Sequence, residues 1–180
     1  MGPTPTPTCL PGQGGQPKGN VTGNGKPSGT RRPSLNPEGF FLSDSKLDPG
    51  LIQAYRQTHY MAGNGLTLLV DHPNAALAQA QRQHGVACSA FITACNPFSQ
   101  SLTADQNAAR QADLAKALAQ RGLAFVHGIG QHPSNTWPGE ASFLVFGLAL
   151  ADAKALGEQF RQNAIVWSAA DGMPQLILLR

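Results

Sequence analysis

Val86-Ala-Cys-Ser-Ala-Phe-Ile-Thr-Ala-Cys-Asn-Pro-Phe-Ser-Gln-Ser-Leu-Thr103 is the stretch whose reading decides the fold. It opens as a run of small, apolar and β-branched residues and stops at Asn96-Pro97. After the polar turn it continues as an Ala- and Gln-rich segment ended by Gly122. The pattern reads as strand, polar elbow and helix. Thr103 is placed to cap the helix, and Gln106 three residues on closes a capping box. The free N–H groups of the first helical turn then face the loop that carries Asn96, Ser99 and Ser101. A helix start of this kind suits a small polar or anionic ligand.

Upstream, Asp48-Pro49 reads as N-cap and first residue of a helix through about Met61, with Leu51, Ile52 and Tyr55 inward and His59 at the boundary. Leu66 to Val70 reads as a strand, and Asp71-His72-Pro73 as the start of a short helix ended by Gly85. Residues 38–46 read as either a short edge segment or an apolar lead-in. Downstream, Leu123 to Ile129 and Ser142 to Leu148 read as strands and Ala151 to Gln162 as a helix. Asn163 to Ser168 and Pro174 to Leu179 then make a terminal hairpin. The order from Val86 to Ser168 is β-α-β-β-α-β. This predicts an α+β fold with a split, ferredoxin-like core, extra α/β elements before it and a hairpin after it.

The chain has 180 residues, enough for one domain with a core plus a tail. The first 35 residues hold 7 of the 14 prolines and 8 of the 20 glycines, with Leu10, Val21 and Leu35 as their large aliphatics. Such a segment cannot offset the cost of ordering its backbone, so residues 1–35 are expected to be a disordered arm and 36–180 a single α+β domain. Lys18, Lys26, Arg31 and Arg32 give the arm +4; subtracted from a net +3, this leaves the body at −1. Four spread charges without aromatic platforms weigh against nucleic acid as a partner. No run approaches the roughly 20 apolar residues that span a bilayer, and the N-terminus lacks a secretory pattern. A cytoplasmic protein without a membrane partner is expected. Cys88 and Cys95 should point to opposite faces of one strand, which argues against a disulfide between them.

The topology itself delivers a candidate site. With the first core strand antiparallel to the third and fourth, its C-terminal end meets their N-terminal ends. Asn96, Glu140, Gln162 and Asn163 then converge with Thr103, Asn107 and Arg110 from the helix start, and Trp137 on the loop forms a rim. Arg110 is placed either to clamp an anion or to pair with Glu140. No phosphate loop or metal spacing is present, so no cofactor and no metal are expected. Three functions follow from these residues. The first is binding of a small polar or anionic metabolite. The second is a hydrolase or transferase using Glu140 or His127 as acid or base. The third is a protein-interaction module. The residues leave the choice between enzyme and binding domain open, together with the oligomeric state.

Four segments carry a family resemblance. They are Phe91-Ile-Thr-Ala-Cys-Asn-Pro-Phe-Ser, Asn107 with Arg110, Trp137-Pro-Gly-Glu-Ala-Ser-Phe-Leu-Val-Phe-Gly147, and Phe160-Arg-Gln-Asn-Ala-Ile-Val-Trp167. In this order they resemble the bacterial family known as domain of unknown function 3293, over roughly Tyr55 to Leu179. Cys95 stands where such sequences often have Tyr, and Arg161 where they often have Gly. The first difference argues against a cysteine nucleophile common to the family. The resemblance implies no activity and supports the outline of the fold.

Overall fold

The structure, a computed structural model, describes residues 45–63, 65–134 and 138–180. The arm expected at 1–35, most of the lead-in expected at 38–46, and Trp137 lie outside the described residues. In chain order the elements are α1 (Pro49–Gln57), β1 (His59–Ala62), β2 (Leu66–Leu68), α2 (Ala75–Gln83), β3 (Cys88–Ile92), α3 (Ala104–Gln120), β4 (Phe125–Gln131), β5 (Glu140–Phe146), α4 (Leu150–Gln159), β6 (Ala164–Ala169) and β7 (Pro174–Leu178). Among the described residues the strands form one antiparallel sheet in the order β2-β1-β4-β5-β3-β6-β7. The fold is therefore α+β, an antiparallel sheet with several helices.

Local chemistry accounts for most helix ends. The Asp48 carboxylate accepts from the N–H groups of Gly50 and Leu51, at 2.8 and 3.2 Å, and Pro49 occupies the first turn of α1. Thr103 Oγ1 accepts from the Gln106 N–H at 3.3 Å while Gln106 Oε1 accepts from the Thr103 N–H at 3.0 Å, so the expected capping box forms. Gly122, with φ of 67°, lets the chain leave α3 through the left-handed region. The second helix starts later than its sequence suggests. Asn74, not Asp71, caps it, because the Asp71 N–H bonds to the Pro174 carbonyl (2.8 Å) and holds that segment against β7.

Strand β3 is buried at every position, and its alternation sorts the core into two layers. Ala90 and Ile92 share one cluster with Phe143 and Val145 of β5, Leu114 and Leu118 of α3, and Leu156 of α4. Phe91 shares the other with Leu144 and Phe146 of β5, Tyr60 of β1 and Leu77 of α2. Helices α3 and α4 thus cover one face and α2 the other, which is why β3 and β5 read as continuous apolar runs. Cys95 is a free, buried thiol just past the end of β3, so no disulfide joins it to Cys88.

One element departs from its sequence reading. Helix α1 ends at Gln57, and His59–Ala62 is a strand instead of a last helical turn. Thr58 turns extended (φ −65°, ψ 136°), and β1 pairs on both sides, with β2 and with β4. Sheet pairing to partners far along the chain overrides a local pattern compatible with either element. The same contact demands a glycine in β4. A Cβ at Gly128 would lie 2.7 Å from the Met61 carbonyl and 2.8 Å from the Phe91 ring. Changing Gly128 to Ala is expected to cost about 1–3 kcal/mol through overpacking. A urea unfolding curve checks this: the midpoint should fall while its slope stays the same.

Candidate functional site

The elbow after β3 is built on a backbone that few side chains tolerate. Asn96, Phe98 and Ser99 all have positive φ, at 44°, 54° and 60°. Each such residue costs about 1–2 kcal/mol unless its surroundings enforce it. They are enforced here by a set of hydrogen bonds. The Ser99 N–H reaches the Asn96 carbonyl at 2.9 Å, the Phe98 N–H reaches the Arg161 carbonyl at 2.7 Å, and the Leu102 N–H reaches Asn96 Oδ1 at 3.0 Å. Arg161 is itself left-handed (φ 58°).

The convergence of segments expected from topology is present, and its hydrogen bonds can be followed residue by residue. Asn96 and Asn107 face each other reciprocally: Asn107 Nδ2 donates to Asn96 Oδ1, and the Asn96 N–H donates to Asn107 Oδ1, both at 2.9 Å. Asn96 Nδ2 donates to Glu140 Oε1 at 2.6 Å. Arg110 does not pair with Glu140. Its Nε donates to the Ala94 carbonyl and its Nη2 to the Phe160 carbonyl, both at 2.7 Å, lacing the end of β3 to the end of α4. Gln162, buried, donates from Nε2 to the Cys95 carbonyl at 3.0 Å. Asn163 Nδ2 donates to Ser99 Oγ at 3.0 Å and reaches Tyr55 Oη at 3.3 Å, while its buried Oδ1 has no partner.

A cavity of about 320 Å³ lies on the face of the sheet that carries Tyr60 and Phe91, under α1. Its apolar floor includes Tyr60, Phe91, Val166 and Leu176; its polar end includes Tyr55, Asn96, Ser99, Ser101 and Glu140. This size is at the small end for metabolite sites. Burial pushes the Glu140 carboxyl above its ordinary value of 4.5, and the Asn96 amide works against that shift by bonding the charged form. Among the described residues no ion pair reaches Glu140. The Tyr60 hydroxyl, raised well above its ordinary range by burial, donates to the Tyr55 carbonyl at 2.8 Å.

His127 points to the other side. It is exposed, lies edge-on to Phe143 at 5.1 Å, and lines a second, more open cavity of about 770 Å³ between α3 and the β4–β5 pair. Asn96, Ser101, Pro138 and Glu140 belong to the walls of both cavities. Arg110 lines neither. Thr103 is occupied by its cap, and Trp137 lies outside the described residues.

Sequence reasoning assigned Tyr55 to the inner face of a helix and missed its role at the cavity. The signal was a phenol on an otherwise aliphatic face, since a buried Tyr generally brings its hydroxyl to a polar neighbour. Tyr60 and Gly130 were missed because β1 reads as helix and β4 is recognisable only in part. No group of three or more His, Cys, Asp or Glu able to hold a metal occurs among the described residues.

Comparison with known proteins adds one finding. Residues 92–165 match the model of a family described as a protein of unknown function (DUF3293), which spans the elbow, α3, β4, β5, α4 and the start of β6. No curated protein and no solved structure matches the chain. Among the described residues no helix is long and apolar enough to cross a membrane.

Two outcomes follow from this geometry. Replacing Arg110 by Leu leaves two carbonyls without their charged donor and is expected to lower stability by about 1.5–3 kcal/mol, read from denaturant unfolding. Glu140 gives a pH signature. A carboxyl raised on folding holds its proton more tightly in the folded state, so its contribution is full below pH 4.5 and is lost as pH rises through the folded value. Glu140→Gln keeps an acceptor for Asn96 and removes that loss. Melting temperatures of the two proteins should therefore diverge in favour of the variant as pH climbs above 4.5; parallel curves would show that the carboxyl is not perturbed.

Proposed function

We propose that this domain binds a small ligand with a polar head in the cavity between α1 and the sheet. The head meets Glu140, Asn96, Ser99 and Tyr55, and the remainder lies over Tyr60, Phe91 and Val166. The observation that carries this reading is the Glu140 carboxylate: it is partly buried on a cavity wall, raised by desolvation, and has no cation beside it among the described residues. Folds do not ordinarily retain such a group without a use for it. Three left-handed residues in the elbow support the same reading, because strain of this kind holds groups in place before a ligand arrives.

Within this reading the residues divide by task. Asn96 and Glu140 contact the ligand. Asn107, Arg110, Gln162 and Asn163 set the elbow's position, and Thr103 fixes the start of α3. The frame is a split β-α-β-β-α-β, ferredoxin-like arrangement, a reading supported by the strand order β4-β5-β3-β6 and by antiparallel pairing of β3 with both β5 and β6.

The raised Glu140 carboxyl also favours a second reading, general acid or base chemistry in the same cavity. The two readings separate experimentally. A metabolite screen by thermal shift should find a stabilising ligand, and Gly130→Val should abolish its effect. A Cβ at Gly130, on the cavity wall, meets Thr58 and Tyr60 at ordinary distances of 3.6–3.9 Å, so a side chain there starts without a clash, and a melting curve of the variant checks that it is folded. The milder Gly130→Ala controls for folding. A ligand whose effect survives Gly130→Val binds elsewhere and removes this site. Turnover of that ligand, lost in Glu140→Gln with binding retained, would move the function from binding to catalysis.

A further inference from the structure

The charges lining the cavity select the class of ligand. Among the described lining residues there is no Lys, Arg or Asp, and Glu140 is the one carboxylate. Arg110, which the topology brings to the same end of the sheet, lies outside the lining and holds two carbonyls. Among the described lining residues Glu140 is thus an acid with no Lys or Arg set against it.

Glu140 has its Oε1 engaged by Asn96, while its Oε2 accepts from no described residue. The hydroxyl oxygens of Ser99 and Tyr55, 3.0 Å apart, line the same end and add acceptors. A metal ion is poorly served by a single carboxylate, since hard cations take six or more oxygens with several of them charged. An anion would be repelled, with little solvent to screen the repulsion. A neutral hydroxyl would leave the carboxylate uncompensated. An ammonium group answers every part of this: it supplies the missing positive charge and donates three hydrogen bonds to a carboxylate and hydroxyl set.

We infer that the ligand is a small primary amine, its ammonium seated on Glu140 with Ser99 and Tyr55 as further acceptors and its apolar body over Phe91, Tyr60 and Val166. The inference rests on the binding function proposed above and adds the charge of the head group.

The test uses three probes of matched shape and different charge: phenethylamine, phenethyl alcohol and phenylpropionate. Each is titrated calorimetrically into the full chain, into Glu140→Gln and into Gly130→Val. The amine should bind the wild-type chain at least about tenfold more tightly than the alcohol, as a charge-assisted bond requires. The propionate should be weakest, and Glu140→Gln should bring amine and alcohol together. Gly130→Val should weaken all three, with its melting temperature maintained. Should the alcohol or the propionate match the amine, with binding still lost in Gly130→Val, the amine assignment falls and the cavity remains the site. Should no probe bind, or should Gly130→Val bind all three normally, both the assignment and the binding site fall.

Discussion

The amide of Asn96 holds the polar end of this molecule together. Its Oδ1 accepts from the Leu102 N–H and from Asn107, and its Nδ2 donates to Glu140, so one side chain ties the elbow to itself, to α3 and to β5. An Asn is suited to the place twice over. It tolerates the left-handed backbone that the elbow imposes better than most residues do, and it offers donor and acceptor on one planar group. An Asp would lose the donor that faces Glu140 and set two carboxylates against each other.

Around that amide, polar groups divide between structure and cavity. Arg110 and Gln162 both reach across to main-chain carbonyls, satisfying the ends of β3 and α4 where no regular partner exists. These bonds leave Glu140 as the charged group facing the cavity. A buried carboxylate held by one amide is a local cost, and the fold carries it because both faces of β3 and β5 are filled. Large apolar burial in the two core layers is what allows a strained elbow and, at one end of the sheet, a carboxylate with no cation beside it among the described residues.

The cavity arises from a gap between layers. Helix α2 covers part of the sheet face with Leu77, while α1 brings half-buried Tyr55 to the cavity wall. Gly130 lies in the floor with room for a Cβ, in contrast to Gly128 two residues earlier, which is in hard contact with Met61 and Phe91. One glycine is required by close packing and the other leaves space, although both stand on the same face of the same strand.

Local chemistry in the sequence was sufficient for the helix starts at Asp48-Pro49 and Thr103 with Gln106, for the helix end at Gly122, and for β3, β5, β6 and β7 to within a few residues. Caps, glycine stops and apolar runs act over a few residues, so they are written in neighbouring positions. Pairing β3 antiparallel to β5 and β6 was legible from element order, and with it the meeting of Asn96 and Glu140. Tertiary structure alone decided the rest. His59–Ala62 became a strand because β2 and β4 offered partners from both sides. Arg110 chose the Ala94 and Phe160 carbonyls over Glu140 because those acceptors lay within reach at the end of β3 and α4, and this is set by packing across 16 and 50 residues of chain. Hydrogen-bond partners and cavities depend on distances of a few tenths of an ångström between segments remote in sequence, and no local pattern of residue types encodes such distances.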